Sequence, residues 1–209
     1  MKLVSLLSSG IDSPVATYLM SKKADEIILV HADNRPFTDD RENKNFLQLA
    51  WYLKKIMKCS VKGFLVFHGK RLKEYRQHCD KKFTCVFCKR MLLRYAEKIA
   101  KKEYADAIVM GDSLGQVASQ TLQNIRTIEQ AVNIPVLRPL IGFDKEDVIK
   151  IAKDIGTYDL SILPSDGCSA VPNKPSTSAK IEKIVKEESK IDVERLVKDA
   201  VENSELIVF

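Results

Sequence analysis

The chain has 209 residues, of which 45% are hydrophobic and 30% are charged, and its formal net charge at pH 7 is +6. This length and composition indicate one domain with a single good core and room for a small appendage. No run of about 18 apolar residues occurs, and the apolar stretch at the N-terminus is too short for a signal peptide. We therefore expect a soluble, cytoplasmic protein with no membrane partner. The positive charge suits a polyanionic partner such as RNA.

Short β-branched apolar runs alternate with longer segments of helical period along most of the chain. Apolar residues recur at the three- and four-residue spacing of one helical face over 46–57, 122–132 and 148–155. Such a βαβα order predicts an α/β fold, with a parallel sheet of about five strands flanked by helices. Ligands of such a sheet bind beyond the carboxyl ends of its strands. The predicted strands cover residues 3–7, 26–32, 61–67, 106–111 and 135–140.

The end of the chain is charged and has helical period from Ser176 onward. Its apolar residues recur at the spacing of a single face, which is typical of an amphipathic helix that covers a core. We predict that residues 176–209 form C-terminal helices that pack on the main domain of residues 1–175.

The loop after the first predicted strand reads SSGIDSP and leads directly into an apolar helix. Free backbone N–H groups and the helix dipole attract phosphate at such a position, and Gly10 permits close backbone approach. Ser13 as a cap and Pro14 in the first turn also specify a plain capped helix, so both interpretations stay open. Two familiar phosphate loops are excluded, because neither GxxxxGK[ST] nor GxGxxG occurs.

SSGIDS resembles the SGGxDS signature of the PP-loop ATP pyrophosphatases, with Ser9 in place of the first glycine. GDSLGQVASQTLQNI at 111–125 and RPLIGFDKEDVI at 138–149 resemble one branch of that group, the 4-thiouridine synthetase (ThiI) family. CKRMLLR at 88–94 and CSAVPNKPSTSA at 168–179 extend the resemblance over nearly all of residues 1–185. It implies a PP-loop domain of the adenine nucleotide alpha hydrolase type. It also implies ATP-dependent replacement of a uridine carbonyl oxygen in tRNA by sulfur.

The resemblance also implies roles for individual residues. The loop would hold the pyrophosphate end of ATP, Asp12 would place a magnesium ion, and Lys145 would stabilise charge that builds on the phosphorus. Without the family, Lys145 is a surface residue at a helix start and His31 is a satisfied histidine at a strand end. The implied nucleotide-binding positions are Leu6, Leu7, Ser8, Ser9, Gly10, Asp12, Ser13, His31, Ala32, Lys89, Gly111 and Gln120.

Five cysteines, including a CxxC, indicate ligands or reactive thiols in a reducing compartment rather than a disulfide framework. Cys85 and Cys88 have the spacing of zinc or iron–sulfur ligands, or of a redox dithiol. The resemblance implies that Cys168 joins them and takes part in sulfur transfer. It further implies that the three thiolates hold a 4Fe-4S cluster whose open iron binds hydrosulfide. A compact alternative is a local zinc site, formed by Cys79, Cys85, Cys88 and either His78 or His68.

Recognition of tRNA raises a separate question. Full-length 4-thiouridine synthetases carry a ferredoxin-like and THUMP region that grips tRNA, whereas this sequence begins near the catalytic loop. We therefore expect a separate THUMP-like protein, or a second copy of the chain in a homodimer, together with a sulfur donor. Two other functions stay open. Another PP-loop adenylating enzyme, such as an amide-forming synthetase or a small-molecule sulfurtransferase, would not need Cys168. A zinc-binding RNA module would need neither Asp12 nor Lys145.

Overall fold

A six-stranded sheet forms the centre of the fold in the computed structural model, which describes every residue from Met1 to Phe209. The strands lie in the order β5-β4-β1-β2-β3-β6. The first five are parallel, and the sixth pairs antiparallel with the third. Their bounds are β1 (Lys2–Leu6), β2 (Glu26–Asp33), β3 (Ser60–Phe67), β4 (Ala107–Val109), β5 (Val136–Leu137) and β6 (Glu205–Val208).

Helices cover both faces of the sheet, because successive strand residues point to opposite sides. Val4 of β1 lies in a core cluster of 28 buried residues, and Leu3 lies in a second cluster of 16 on the other face. None of the helices combines the length and the apolar composition needed to cross a bilayer. The helices are α1 (Asp12–Ser21), α2 (Asp40–Ile56), α3 (Gly69–His78), α4 (Thr84–Glu103), α5 (Leu122–Glu129), α6 (Lys145–Asp154), α7 (Tyr158–Ser161), α8 (Ile181–Glu188) and α9 (Val193–Glu202).

The predicted α/β class with a mainly parallel, helix-flanked sheet is confirmed, and three details differ. The fourth strand is three residues long instead of six. The fifth strand is two residues long instead of six. Pro135 and Pro139 bracket it, and because proline has no backbone N–H it does not continue a strand ladder. The sixth strand, β6, was not predicted. It extends the sheet at β3, where Ile207 pairs with Gly63 and the ring of Phe209 lies over that glycine.

The two C-terminal helices pack on the sheet face that α4 covers. Ile184 of α8 and Leu196 of α9 belong to the same core cluster as Val4. A buried carboxylate, Glu188, reinforces this packing, since it accepts hydrogen bonds from the guanidinium groups of Arg90 and Arg94 on α4. The C-terminal segment is thus joined to the main core by both apolar and ionic contacts.

The strand order reverses at β1, which fixes where a ligand can enter. From β1 the chain adds β2 and β3 on one side of the sheet, and later β4 and β5 on the other. The loops that follow β1 and β4 therefore diverge to opposite faces and leave a crevice beyond the carboxyl ends of the strands.

Candidate active site

A cleft of about 380 Å³ opens at this reversal point, between the carboxyl ends of β1, β2 and β4. Of the twelve positions that the family resemblance assigns to the nucleotide, eleven line it, and Ser9 does not. Asp112, Asn34 and Gln116 also line the cleft, although sequence reasoning did not single them out. The eleven are Leu6, Leu7, Ser8, Gly10, Asp12, Ser13, His31, Ala32, Lys89, Gly111 and Gln120.

The SSGIDS loop is held together by its own serine hydroxyl groups. The backbone N–H of Ser8 donates to Ser13 Oγ at 2.9 Å, and the N–H of Gly10 donates to Ser8 Oγ at 3.4 Å. Ser13 does not cap α1 as the sequence suggested, because the helix begins one residue earlier, at Asp12, and has no side-chain cap. The backbone N–H groups at the start of α1 therefore remain available for an anion.

Two helix starts meet at the mouth of the cleft. Asp12 is the first residue of α1 and Lys145 is the first residue of α6. Lys145 Nζ lies 2.5 Å from Asp12 Oδ1, although 133 positions separate the two residues in sequence. The side chains are 23% and 43% exposed, so the pair is open to a ligand from solvent. A carboxylate and an ammonium group are thus presented beside the phosphate-type loop.

Gly111 lies two residues after β4, packed against the start of α1. A Cβ atom at this position would lie 2.7 Å from both Cα and N of Ser13, which is closer than real contacts allow. Glycine is required here because the space that a side chain would need is occupied by the protein's own backbone.

His31 forms part of the cleft wall, and its ring is fully engaged within the protein. Its Nδ1 lies 2.8 Å from the carbonyl oxygen of Leu7 and its Nε2 lies 3.2 Å from Asn43 Oδ1. The ring stacks on Phe46 at 4.1 Å between centroids. Burial lowers the pKa of His31, so the ring is neutral at physiological pH. His31 therefore shapes the cleft and does not act as a free base.

Asp112 is the feature of the cleft that sequence reasoning missed. Its carboxylate is 4% exposed and accepts from Lys89 at 2.6 Å, from Gln120 at 3.3 Å and from Arg138 at 3.3 Å. Burial alone would raise the pKa of Asp112, but the two cations outweigh it and lower the pKa below its usual range. The sequence offered one signal that could have identified Asp112: an acid directly follows Gly111, the last residue of the strand predicted over 106–111.

The three cysteines that the resemblance grouped are neighbours in space. Cys85 and Cys88 lie in the first turns of α4, and Cys168 lies in a loop that the N–H of Ser169 ties to the carbonyl oxygen of Phe37 at 2.8 Å. Burial raises the pKa of Cys88 to about 12, and negative charge on Cys168 and Cys85 adds to the effect. However, no group of three or more His, Cys, Asp and Glu side chains is arranged to bind a metal ion. In this arrangement the thiols do not converge as ligands.

The local zinc site is not formed either. Cys79 Sγ donates to the carbonyl oxygen of Glu187 at 3.1 Å, and burial raises its pKa to about 11. His68 is fully buried beneath Tyr95, whose hydroxyl group lies 2.9 Å from His68 Nδ1. Both side chains thus have hydrogen-bond partners within the protein, and His78 is exposed on α3.

A family model described as "Thiamine biosynthesis protein (ThiI)" matches residues 1–193. A probable tRNA sulfurtransferase of Methanothermobacter thermautotrophicus is 46% identical over 199 residues, which cover 94% of this chain and 51% of that protein. Another probable tRNA sulfurtransferase, from Finegoldia magna, is 40% identical and covers 97% of this chain and 52% of its own length. The chain spans about half the length of the curated relatives it matches.

The fold also matches a solved structure closely. A crystal structure of a 4-thiouridine synthetase–RNA complex with bound ATP has a TM-score of 0.93 and 34% sequence identity to this chain. The match covers 98% of this chain and 54% of the other.

Proposed function

The chain belongs to the ThiI family, and from that premise we propose that it is an ATP-dependent tRNA sulfurtransferase of the 4-thiouridine type. It adenylates a uridine carbonyl oxygen, releases pyrophosphate, and then exchanges that oxygen for sulfur. The observation that carries the proposal is the meeting of Asp12, Lys145 and the SSGIDS loop at the mouth of one cleft. Relatives named as tRNA sulfurtransferases and the ATP-bound 4-thiouridine synthetase support it.

In the first step the uridine oxygen attacks the α-phosphorus of ATP. A new P–O bond forms, the bond between the α-phosphorus and the bridging oxygen breaks, and pyrophosphate leaves with that electron pair. The N–H groups at the start of α1 hold the departing phosphates, and Lys145 stabilises negative charge in the transition state. Asp12 would hold a magnesium ion, whose charge neutralises the pyrophosphate, because carboxylate oxygens are ligands that magnesium prefers.

In the second step a sulfur nucleophile from a donor attacks the activated carbon, and AMP leaves with the electron pair of the C–O bond. We assign sulfur transfer to Cys168 because its loop lies beside Cys85 and Cys88. The finer proposal is that the three thiols hold a 4Fe-4S cluster in the loaded protein, with zinc as the alternative metal. In this structure the three thiols do not converge as ligands.

Metal and sulfide analysis of protein purified without oxygen tests the finer proposal. We expect iron and inorganic sulfide in a one-to-one ratio, as a 4Fe-4S cluster requires, and loss of both on Cys85→Ala, Cys88→Ala or Cys168→Ala. Cys79→Ala is the matched control and is expected to keep the cluster. Zinc without inorganic sulfide, or loss of the metal in Cys79→Ala, would show that the protein holds a zinc site and not an iron–sulfur cluster.

We further propose that residues 1–175 carry the PP-loop machinery and that 176–209 stabilise it. The chain's positive charge contributes weak attraction to tRNA, and a THUMP-like protein or a second copy in a homodimer supplies the specific contacts. We assign the reaction to the cytoplasm, where thiols stay reduced and ATP is available.

The proposed chemistry is tested by separating the adenine nucleotides after incubation with ATP, tRNA and a sulfur donor. AMP and pyrophosphate are expected. Asp12→Ala and Lys145→Ala should abolish AMP formation while the far-ultraviolet circular dichroism stays that of the wild type, since both side chains are solvent-accessible. Glu182→Gln, an exposed change on α8, is the control that should keep activity. Formation of ADP and phosphate that depends on tRNA would contradict the proposal.

A further inference from the structure

We infer that Asp112 is a positioning residue of the cleft, which sets the orientation of Lys89 and Gln120 for ATP. The inference rests on the proposed function, because it takes the cleft as the ATP site. Asp112 lies three residues after β4, in a segment that the N–H of Met110 still ties to the carbonyl oxygen of Leu137, at the point where the cleft opens.

Three separate segments of the chain converge on this one carboxylate. Lys89 comes from α4, Gln120 ends the 3-10 turn Ala118–Gln120, and Arg138 follows β5. Lys89 Nζ and Gln120 Nε2 both donate to Oδ1, at 2.6 and 3.3 Å, and Arg138 Nε donates to Oδ2 at 3.3 Å. Both carboxylate oxygens are therefore occupied by donors from the protein.

The contacts of Gln120 make its orientation dependent on Asp112. Gln120 is 7% exposed, and its Oε1 atom is buried without a hydrogen-bond partner. The hydrogen bond from Nε2 to Asp112 is thus the contact that fixes the side-chain amide. A buried polar atom left without a partner at a cleft is costly unless a ligand satisfies it.

The position of Lys89 depends on the same carboxylate for an electrostatic reason. Its side chain is 19% exposed and stands near the guanidinium group of Arg138, which is 8% exposed. Without the negative charge of Asp112 between them, the two cations repel each other in a poorly hydrated wall. Lys89 would then turn toward solvent and no longer line the nucleotide site.

Arg138 supplies a matched control. Its Nη1 donates to Glu129 at 2.6 Å, and the carboxylate of Glu129 is 48% exposed on the outer side of the arginine. Glu129 and Asp112 are therefore two acids on one arginine, of which Asp112 alone contacts Lys89 and Gln120. Glu129→Gln removes an acid from the network without touching either of these two side chains.

The test is equilibrium binding of an ATP analogue that carries a methylene group between its α- and β-phosphorus atoms, which prevents pyrophosphate release. We expect Asp112→Asn to raise the Kd of this analogue about tenfold to a hundredfold. The factor should be similar whether the buffer contains magnesium or EDTA. Glu129→Gln should bind as tightly as the wild type. In a Lys89→Met background, Asp112→Asn should raise the Kd by a smaller factor than it does alone, because both changes remove the same interaction.

Asp112→Glu separates positioning from stability. The longer side chain keeps the charge but moves the carboxylate by one methylene group, so its Kd should fall between those of the wild type and Asp112→Asn. This variant carries the test if Asp112→Asn does not fold, which thermal unfolding would reveal. A wild-type Kd in Asp112→Glu would show that the exact place of this carboxylate does not matter for ATP binding, and would overturn the positioning role.

Other outcomes also overturn the inference. An unchanged Kd in Asp112→Asn, or full additivity with Lys89→Met, would show that Asp112 does not act through Lys89. If Asp112→Asn weakened binding of the analogue only when magnesium is present, Asp112 would be a metal ligand and not a positioning residue. In each of these cases the wild type still binds the ATP analogue, so the proposed function is not contradicted. Failure of the wild type to bind the analogue would contradict the proposed function, and the inference with it.

Discussion

At the scale of single residues, the cleft depends on the close contact between Gly111 and the backbone of Ser13, which leaves no room for a side chain at position 111. Gly111→Ala would place a methyl group 2.7 Å from the backbone of Ser13, so β4 and the start of α1 must separate. We expect the free energy of unfolding to fall by about 1–3 kcal/mol, as in other overpacked positions, and ATP to bind more weakly.

Gly142→Ala is the control for this prediction, because nothing lies within 4 Å of the Cβ position there. Urea unfolding measures both variants. Equal stability of Gly111→Ala and the wild type would contradict the packing that places the SSGIDS loop.

The stability of the folded protein should also be sensitive to acid. His68 is fully buried, and burial lowers its pKa from 6.5 to about 3, with the nearby charge of Arg71 adding to the shift. Below pH 6.5 the unfolded chain binds a proton at this histidine that the folded chain does not, so stability falls as the pH falls. The slope from one such group is about 1.4 kcal/mol per pH unit.

His68→Gln should therefore flatten the fall in stability between pH 6.5 and about pH 5, a range above the protonation of most carboxylates. His31 shifts in the same direction and stays in the variant, so part of the slope remains. Urea unfolding at several pH values measures the slope, with His78→Gln at an exposed position as the control. An unchanged slope in His68→Gln would mean that this histidine is protonated in the folded protein.

At the scale of elements, the attachment of α8 depends on a buried ion pair. Glu188 accepts from Arg90 at 2.8 and 3.0 Å and from Arg94 at 2.8 Å, and its side chain is 8% exposed. The two arginines hold its pKa below the usual range despite its burial. Glu188→Gln leaves Arg90 buried without a counter-charge, so stability should fall by about 3–5 kcal/mol.

Calorimetric or urea unfolding measures this loss, and Glu182→Gln on the same helix should leave stability unchanged because that position is exposed. A loss below about 1 kcal/mol in Glu188→Gln would place the interaction among weak surface pairs.

The elements also show which parts of the fold a sequence can reveal. The strands β1 to β3 were predicted because each contains a short run of apolar, often β-branched residues, which local pattern can report. The strand β6 was missed because it is four residues long, follows charged helices, and exists through pairing with β3, a partner distant in sequence. Pattern also gave the positions of the SSGIDS loop and the CxxC.

The network around Asp112 was not predictable from local pattern. Lys89, Gln120 and Arg138 lie on three segments, and their common partner becomes evident when the sheet brings these segments together. The pairing of Asp12 with Lys145 is equally non-local, and the family resemblance, not residue spacing, pointed to both residues. The iron–sulfur cluster stays a prediction.

At the scale of the whole molecule, the net charge of +6 gives attraction to RNA without sequence readout. We expect tRNA to bind the chain with a Kd of roughly 10⁻⁴ to 10⁻⁶ M, weakening steeply with salt. Adding a THUMP-like protein should raise thiolation and flatten the salt dependence, because extraction of a folded uridine needs specific contacts. Tight, salt-resistant and tRNA-specific binding by a monomer would place the recognition surface on this chain instead.

The central claim is that the uridine oxygen itself attacks ATP at the cleft lined by Asp12 and the SSGIDS loop, with Lys145 paired to Asp12. The most direct test of this claim uses tRNA whose target uridine carries oxygen-18 as the carbonyl oxygen that sulfur replaces. Mass spectrometry of the nucleotide product should find one oxygen-18 atom in the phosphate of AMP for each thiouridine formed. Unlabelled AMP beside labelled water or labelled inorganic phosphate would contradict adenylation of the uridine, and with it the function assigned to this cleft.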